Sequence, residues 1–285
     1  MTAQISSSTT ITVGPIVLNS IDVDGVKWTV DSDGFDGWGV PSSSLAVVPK
    51  ATQPGGWAGA SFTGSRPMAL RGLITAPTPA LLTRALDALF AAVSNEETFF
   101  QVAEAGATRW CIVRRSDDVI PKRLTNQVAM YAFRVTALDH RKFSVPLTAS
   151  TRLPVSSGGL TVPFTAPFAV AATLVSGQVN LTNPGNETGP VILRVDGPCH
   201  GPSITHVASG ISLTFSASLV LGEGEWLTID PEARTVMAND QSSRSGYITS
   251  RGWFGFVPGD NTFAFTASSF DAGALLTVTA TPAFK

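Results

Sequence analysis

Only one stretch of this 285-residue chain carries a helical period, and that excludes every fold built mainly from helices. Leu82, Leu86, Leu89 and Val93 recur at three- and four-residue spacing, with Leu81, Ala85 and Phe90 widening the stripe and Arg84 and Asp87 on the polar side. Thr78 is placed to cap this helix, and Pro79 suits its first position, where a missing N–H costs nothing. Ser94-Asn95 ends it. Elsewhere the apolar residues alternate over short runs broken by turn residues. The 26 Gly and 19 Pro fit many strands joined by turns. At 44% hydrophobic and 14% charged, the chain has enough apolar mass to fill a core and too few charges for disorder.

The segment 145–159, VPLTASTRLPVSSGG, has the Ser, Thr, Pro and Gly content of a connection, so the chain reads as a domain over 1–145, a linker over 146–160 and a second domain over 161–285. In the first domain, strands are expected within 20–30, anchored by Val23, Val26, Trp28 and Val30, and over 68–74, 99–102, 110–113 and 128–138. Residues 31–40 and 53–59 read as loops, each carrying a Trp. The expectation is a β-sheet with the one α-helix packed on it. The second domain shows short alternating runs at 179–181, 191–195, 211–215, 226–230, 262–265 and 276–280, with turn residues at 183–186, 197–198, 222–224 and 258–261. That spacing predicts an antiparallel β-sandwich or jelly roll, making the whole chain mainly β.

Chemistry-bearing motifs are scarce. The sequence has no GxSxG, HExxH, P-loop or GxGxxG pattern, and only three histidines, His140, His200 and His206. Cys199, His200 and His206 lack finger spacing, so no metal site or cofactor is expected. Asp31-Ser-Asp33-Gly-Phe-Asp36 has the look of a calcium loop without its downstream Glu, and reads as an acidic turn. Glu223, Glu225 and Asp230 are close in sequence, as are Glu96 and Glu97, but no pair is shown to converge as glycoside hydrolysis requires. Cys111 and Cys199 read as free, buried thiols, a disulfide between them staying open. Residues 1–10 lack the basic and apolar regions of a signal peptide, and the longest apolar run, 162–175, is broken by Pro163 and Pro167. Folding in a cytoplasm without membrane insertion is the expectation. Net charge is −2, and the one basic cluster (Arg109, Arg114, Arg115, Lys122 and Arg123) is diluted by Asp117 and Asp118. No nucleic-acid groove is expected; an intersubunit ion-pair surface is.

The order of motifs in the second domain is more specific. Asn183-Pro-Gly-Asn186 is followed by residues 190–198, PVILRVDGP, then Gly210-Ile-Ser-Leu-Thr-Phe215. Next come Gly222-Glu-Gly-Glu-Trp-Leu-Thr-Ile-Asp230 and Arg234-Thr-Val236, and the series closes with Ser250-Arg-Gly-Trp-Phe254 and Pro258-Gly-Asp-Asn-Thr-Phe263. This order resembles the C-terminal domain of the siphophage distal tail protein family, and the lone helix after Arg71-Gly-Leu-Ile74 fits that family's N-terminal domain. The resemblance implies a structural virion protein and not an enzyme. It implies a ring, hexameric in that family, at the distal end of the tail, assembled in the host cytoplasm. The ring joins the tail tube protein to the tail-tip hub, lets DNA pass, and carries galectin-like C-terminal sandwiches outward.

A closed ring needs head-to-tail contacts. Trp28, Trp38 and Trp57, on sheet edges and loops, are interface candidates because buried Trp is enriched in hot spots; core filling is the competing role. Arg114 and Arg115 are candidates from the basic cluster. The galectin-like label raises one alternative, a carbohydrate-binding host-recognition module. The His, Asn, Arg, Trp and Glu set that sugar-binding galectins use is not matched around Trp226, Trp253 or His206.

Overall fold

A computed structural model describes residues 9–154, 177–269, 271 and 273–285, in two compact units: residues 1–144 with Lys285, and residues 145–284. The apolar run 162–175, the linker's second half (155–160) and residues 1–8 lie outside the described residues.

The first unit is an antiparallel sheet in the order Ile16–Leu18, Thr10–Val13, Thr98–Glu104, Ala107–Arg115, Val128–Ala137, Arg66–Thr75, Lys27–Asp36, Ser20–Ile21. Arg66–Thr75 alternates inward and outward along its length, setting Met68, Leu70 and Ile74 in the core. It pairs with Val128–Ala137 over ten residues, whereas that strand meets Ala107–Arg115 only through Val135 and Thr136. Ile120–Arg123 takes the strand's other end.

The helix runs Pro79–Ala92, with Thr78 Oγ1 accepting from the Leu81 N–H at 3.3 Å. Leu82, Ala85, Leu86, Leu89 and Ala92 are buried against the sheet. Each Leu contributes about 1.5–3 kcal/mol on leaving water. Val93 is the C-cap and is buried, while Phe90 faces solvent.

Three expectations are corrected here. The strand begun at Lys27 does not stop at Val30; it runs to Asp36, with a register shift between Val30 and Phe35 against Arg66–Thr75. Residues 22–26 form a turn instead of strand, held by Asp22 Oδ1 accepting from the N–H groups of Asp24 and Val26, and Val23 is fully exposed. The expected loop at 53–59 belongs to a hairpin, Ser43–Pro49 with Gly56–Thr63.

One close approach fixes a glycine. Gly72 lies opposite Tyr131 on one side and Val30 on the other. The Tyr131 hydroxyl crosses it to donate to the Thr29 carbonyl at 3.0 Å, and a Cβ at position 72 would stand 1.9 Å from that oxygen.

The second unit is an antiparallel sandwich. One sheet orders Leu147–Arg152, Leu275–Ala280, Val191–Asp196, Trp226–Asp230, Thr235–Ala238 and Ser242–Ser243; the other orders Gln178–Asn183, Gly259–Ala267, Pro202–His206, Ile211–Phe215 and Ile248–Arg251. Val191, Leu193, Val195, Ile229, Phe263, Phe265 and Val278 point into the shared core, with intervening residues turned outward. Residues 147–152, expected in the linker, pair with Leu275–Ala280 as a six-residue edge strand.

Candidate functional site

Trp28 is 3% exposed and meets Tyr131 edge-on at 6.3 Å; Trp38 is 8% exposed and packs with Phe35 and Phe100. Both pack in the core of the first unit, which is the competing role of core filling. Trp57 is 66% exposed on the 43–63 hairpin, with Lys50 Nζ 4.8 Å from its ring centroid. The rest of that hairpin is as bare. Every residue of both strands is exposed, including Leu45, Val47, Val48 and Phe62. The sequence reading missed these four. Their signal is the continuous apolar run 45–49 and the flanking aromatics Trp57 and Phe62 on either side of Pro54-Gly55-Gly56.

Arg114 and Arg115 project from the end of the Ala107–Arg115 strand. Arg114 pairs with Glu97 at 3.0 Å, and Arg115 donates to Asn95 Oδ1 at 3.1 Å. Arg114 also borders a shallow groove of about 310 Å³ with Trp110, Ile112, Leu138 and Phe143. The structure does not gather the cationic cluster into a bare stripe. Arg123 donates to Thr83, and Arg134 pairs with Asp117.

Buried cations lie deeper. Arg66 is 0% exposed, and its guanidinium donates to the carbonyls of Trp38, Gly39 and His140. Lys142 Nζ donates to the Trp38 carbonyl at 3.0 Å and sits 5.1 Å from the Trp38 ring centroid. Burial, then the nearby charges of Arg66 and Arg109, lower the Lys142 ammonium to about 8. Burial pushes the Cys111 thiol up to about 12 and the Cys199 thiol to about 11; both are free.

Asp31, Asp33 and His206 are engaged within the fold. Arg71 stands 2.6 Å from Asp33 and 3.8 Å from Asp31, so a guanidinium occupies the place a calcium ion would take, and it holds the Asp33 carboxyl below its ordinary range. His206 is in the core, stacked on Phe254, with Nδ1 at Ser209 Oγ and Nε2 at Asn261 Oδ1. Among the described residues, no group of three His, Cys, Asp or Glu could hold a metal ion. Arg194 lies 4.5 Å from the Trp226 ring centroid, on a face where a sugar would stack.

The polar residues of the ordered motifs are turn anchors. Asn183, 2% exposed, donates to the carbonyls of Phe256 and Glu187 and accepts from the Gly185 N–H. Asn261 donates to the carbonyls of Val257 and Gly259, accepts from the Val257 N–H, and its Oδ1 lies 3.1 Å from His206 Nε2. Asp230 Oδ1 accepts from Glu232 and Ala233, and Glu225 accepts from Gly222. Each side chain satisfies backbone groups that a tight turn would leave unpaired.

Residues 185–280 match the family model of the siphovirus-type tail component, C-terminal domain. The match lies within the second unit. No curated protein matches the chain in sequence. The fold of the whole chain is shared more widely. It matches the SPP1 Dit protein, described as a paradigm of the hub adsorption apparatus in phages infecting Gram-positive bacteria. The TM-score is 0.67 at 10% identity, covering 97% of this chain and 99% of that one. A chain of the phage P2 baseplate in its activated conformation with Ca matches with TM-score 0.51 at 8% identity, covering 95% and 97%; the Sr form gives 0.50 at the same identity and coverage. The chain thus shares the fold of the SPP1 Dit protein over nearly its full length, and the family-model match lies toward its C-terminal end.

Proposed function

We propose that this chain is a structural component of the tail tip of a long-tailed phage, residing in the virion and performing no catalysis. It forms a ring, six subunits in the family it resembles, that joins the tail tube to the tail-tip hub and leaves a passage for DNA. The observation that carries this reading is the tail component domain at 185–280 within a chain that has the SPP1 Dit fold at 97% coverage. The ring-building role falls to the first unit, which holds the bare apolar hairpin; the sandwich projects from the ring. The polar motif residues of the sandwich are consumed inside their own turns, which supports a scaffold over a ligand-binding role.

Negative-stain microscopy of the purified protein, with its mass measured in solution, tests the reading. Rings of six-fold symmetry with an open centre are expected. A chain that stays monomeric alone and with tail tube protein added contradicts it.

A further inference from the structure

Among the described residues, two apolar surfaces of the first unit lack a partner within it. The first is the hairpin, bare on both sides. A two-stranded ribbon alone in water is marginal at best, so one whose Leu45, Val47, Val48, Trp57 and Phe62 are all exposed gains its order from a covering surface. The second is a groove of about 540 Å³ between the helix and the segment 15–28. Ile16, Ile21, Val26 and Leu81 line it, with Asp22 and Asp24 at its rim.

These surfaces lie at opposite ends of one strand pair. The groove adjoins the end where Lys27 meets Thr75; the hairpin leaves from the end where Asp36 meets Ala69. On the partner strand only six residue steps, Ala69 to Thr75, separate those ends, roughly 20 Å at the rise of a strand. In this chain Val48 and Trp57 stay exposed, so the hairpin does not fill the groove of its own chain and a second copy is the occupant. The charges agree as well. Lys50 is the hairpin's only charged residue, while the groove rim carries Asp22, Asp24 and Arg84, and with Arg84 paired to Asp24 at 3.7 Å, Asp22 leaves it one net negative charge.

We infer that the 43–63 hairpin of one copy docks in the groove between the helix and residues 15–28 of the next copy, with Val48 and Trp57 entering the groove and Lys50 meeting its acidic rim. Such a contact is heterologous, the kind that repeats into a closed ring. The inference rests on the ring reading and names the surfaces that make it.

Cross-linking separates the two ideas. Val48→Cys and Ala88→Cys place thiols on the hairpin and on the exposed face of the helix beside the groove, while the native Cys111 and Cys199 are buried. With a short bismaleimide, the full chain carrying both substitutions is expected to give a ladder, and a mixture of the two single variants only dimers. Trp57→Ser, at an exposed position, is expected to weaken self-association more than ten-fold without moving the melting temperature. Rings that persist in Trp57→Ser and give no cross-link between 48 and 88 overturn the docking and leave the ring reading standing. A chain that is monomeric at its highest soluble concentration also overturns the docking; microscopy of assembled tail tips then decides the ring separately.

Discussion

Lys142 keeps an ammonium group against the Trp38 ring, within the field of the Arg66 guanidinium and away from solvent. Its folded value, about 8, lies below the ordinary lysine value of 10.5. Between those two values the unfolded chain binds the proton that the folded chain has released. Stability therefore rises with pH through that window, and the cost of the buried charge is felt fully below it. In thermal melts from pH 7.5 to 9.5, the wild type is expected to gain in melting temperature relative to Lys142→Met, whose curve is flatter. Equal slopes would show that the ammonium is solvated. None of this was legible in the sequence, where Lys142 follows Arg141 in a stretch that reads as surface. Trp38 misleads in the opposite sense. A Trp beside Asp and Gly suggests an exposed loop, yet the register shift after Val30 and the bend at Gly37 return Trp38 to the core beside Phe100.

At the scale of elements, what could be read depended on how local the determinants were. The helix is self-announcing: its cap, its first-turn proline and its stripe lie within 16 residues, and Leu82, Leu86 and Leu89 are buried as their spacing requires. Leu82→Ala is expected to cost about 2–5 kcal/mol and Thr78→Ala about 1 kcal/mol, both read by denaturant titration. The strands Ile211–Phe215 and Trp226–Asp230 were equally plain, since each alternates between turn residues. Leu147–Arg152 was not. Its Ser and Thr match a linker, and its partner, Leu275–Ala280, is more than a hundred residues downstream. The Lys27–Asp36 strand was cut short because Asp31 and Asp33 read as turn formers, whereas Arg71 on the neighbouring strand neutralises both. The ordered turns at 183–186 and 258–261 were legible as motifs. Why they carry Asn became clear only when Asn183 and Asn261 proved to hold the turn backbones from inside.

Taken whole, the molecule has a formal charge of −2 and basic side chains that are engaged one by one, Arg114 by Glu97, Arg134 by Asp117 and Arg71 by Asp33. Affinity for duplex DNA comes mainly from counterion release at unopposed cations. No retention of double-stranded DNA is therefore expected in a mobility-shift assay even at about 50 mM salt, where electrostatic binders hold most tightly. A retarded band that vanishes with added salt would reveal a basic face. The hairpin has its own counterpart at this scale. It supplies no buried residue to the core of the first unit. Replacing residues 43–63 with a short Gly-Ser turn is thus expected to leave the melting temperature within a degree or two, as measured by circular dichroism, while a drop of ten degrees would show a hidden structural debt. A segment that the fold does not need answers only to whatever covers it. Over evolutionary time the ribbon and its receptor can change together while the domain beneath stays fixed, so lineages of such proteins are expected to diverge fastest where their subunits recognise each other.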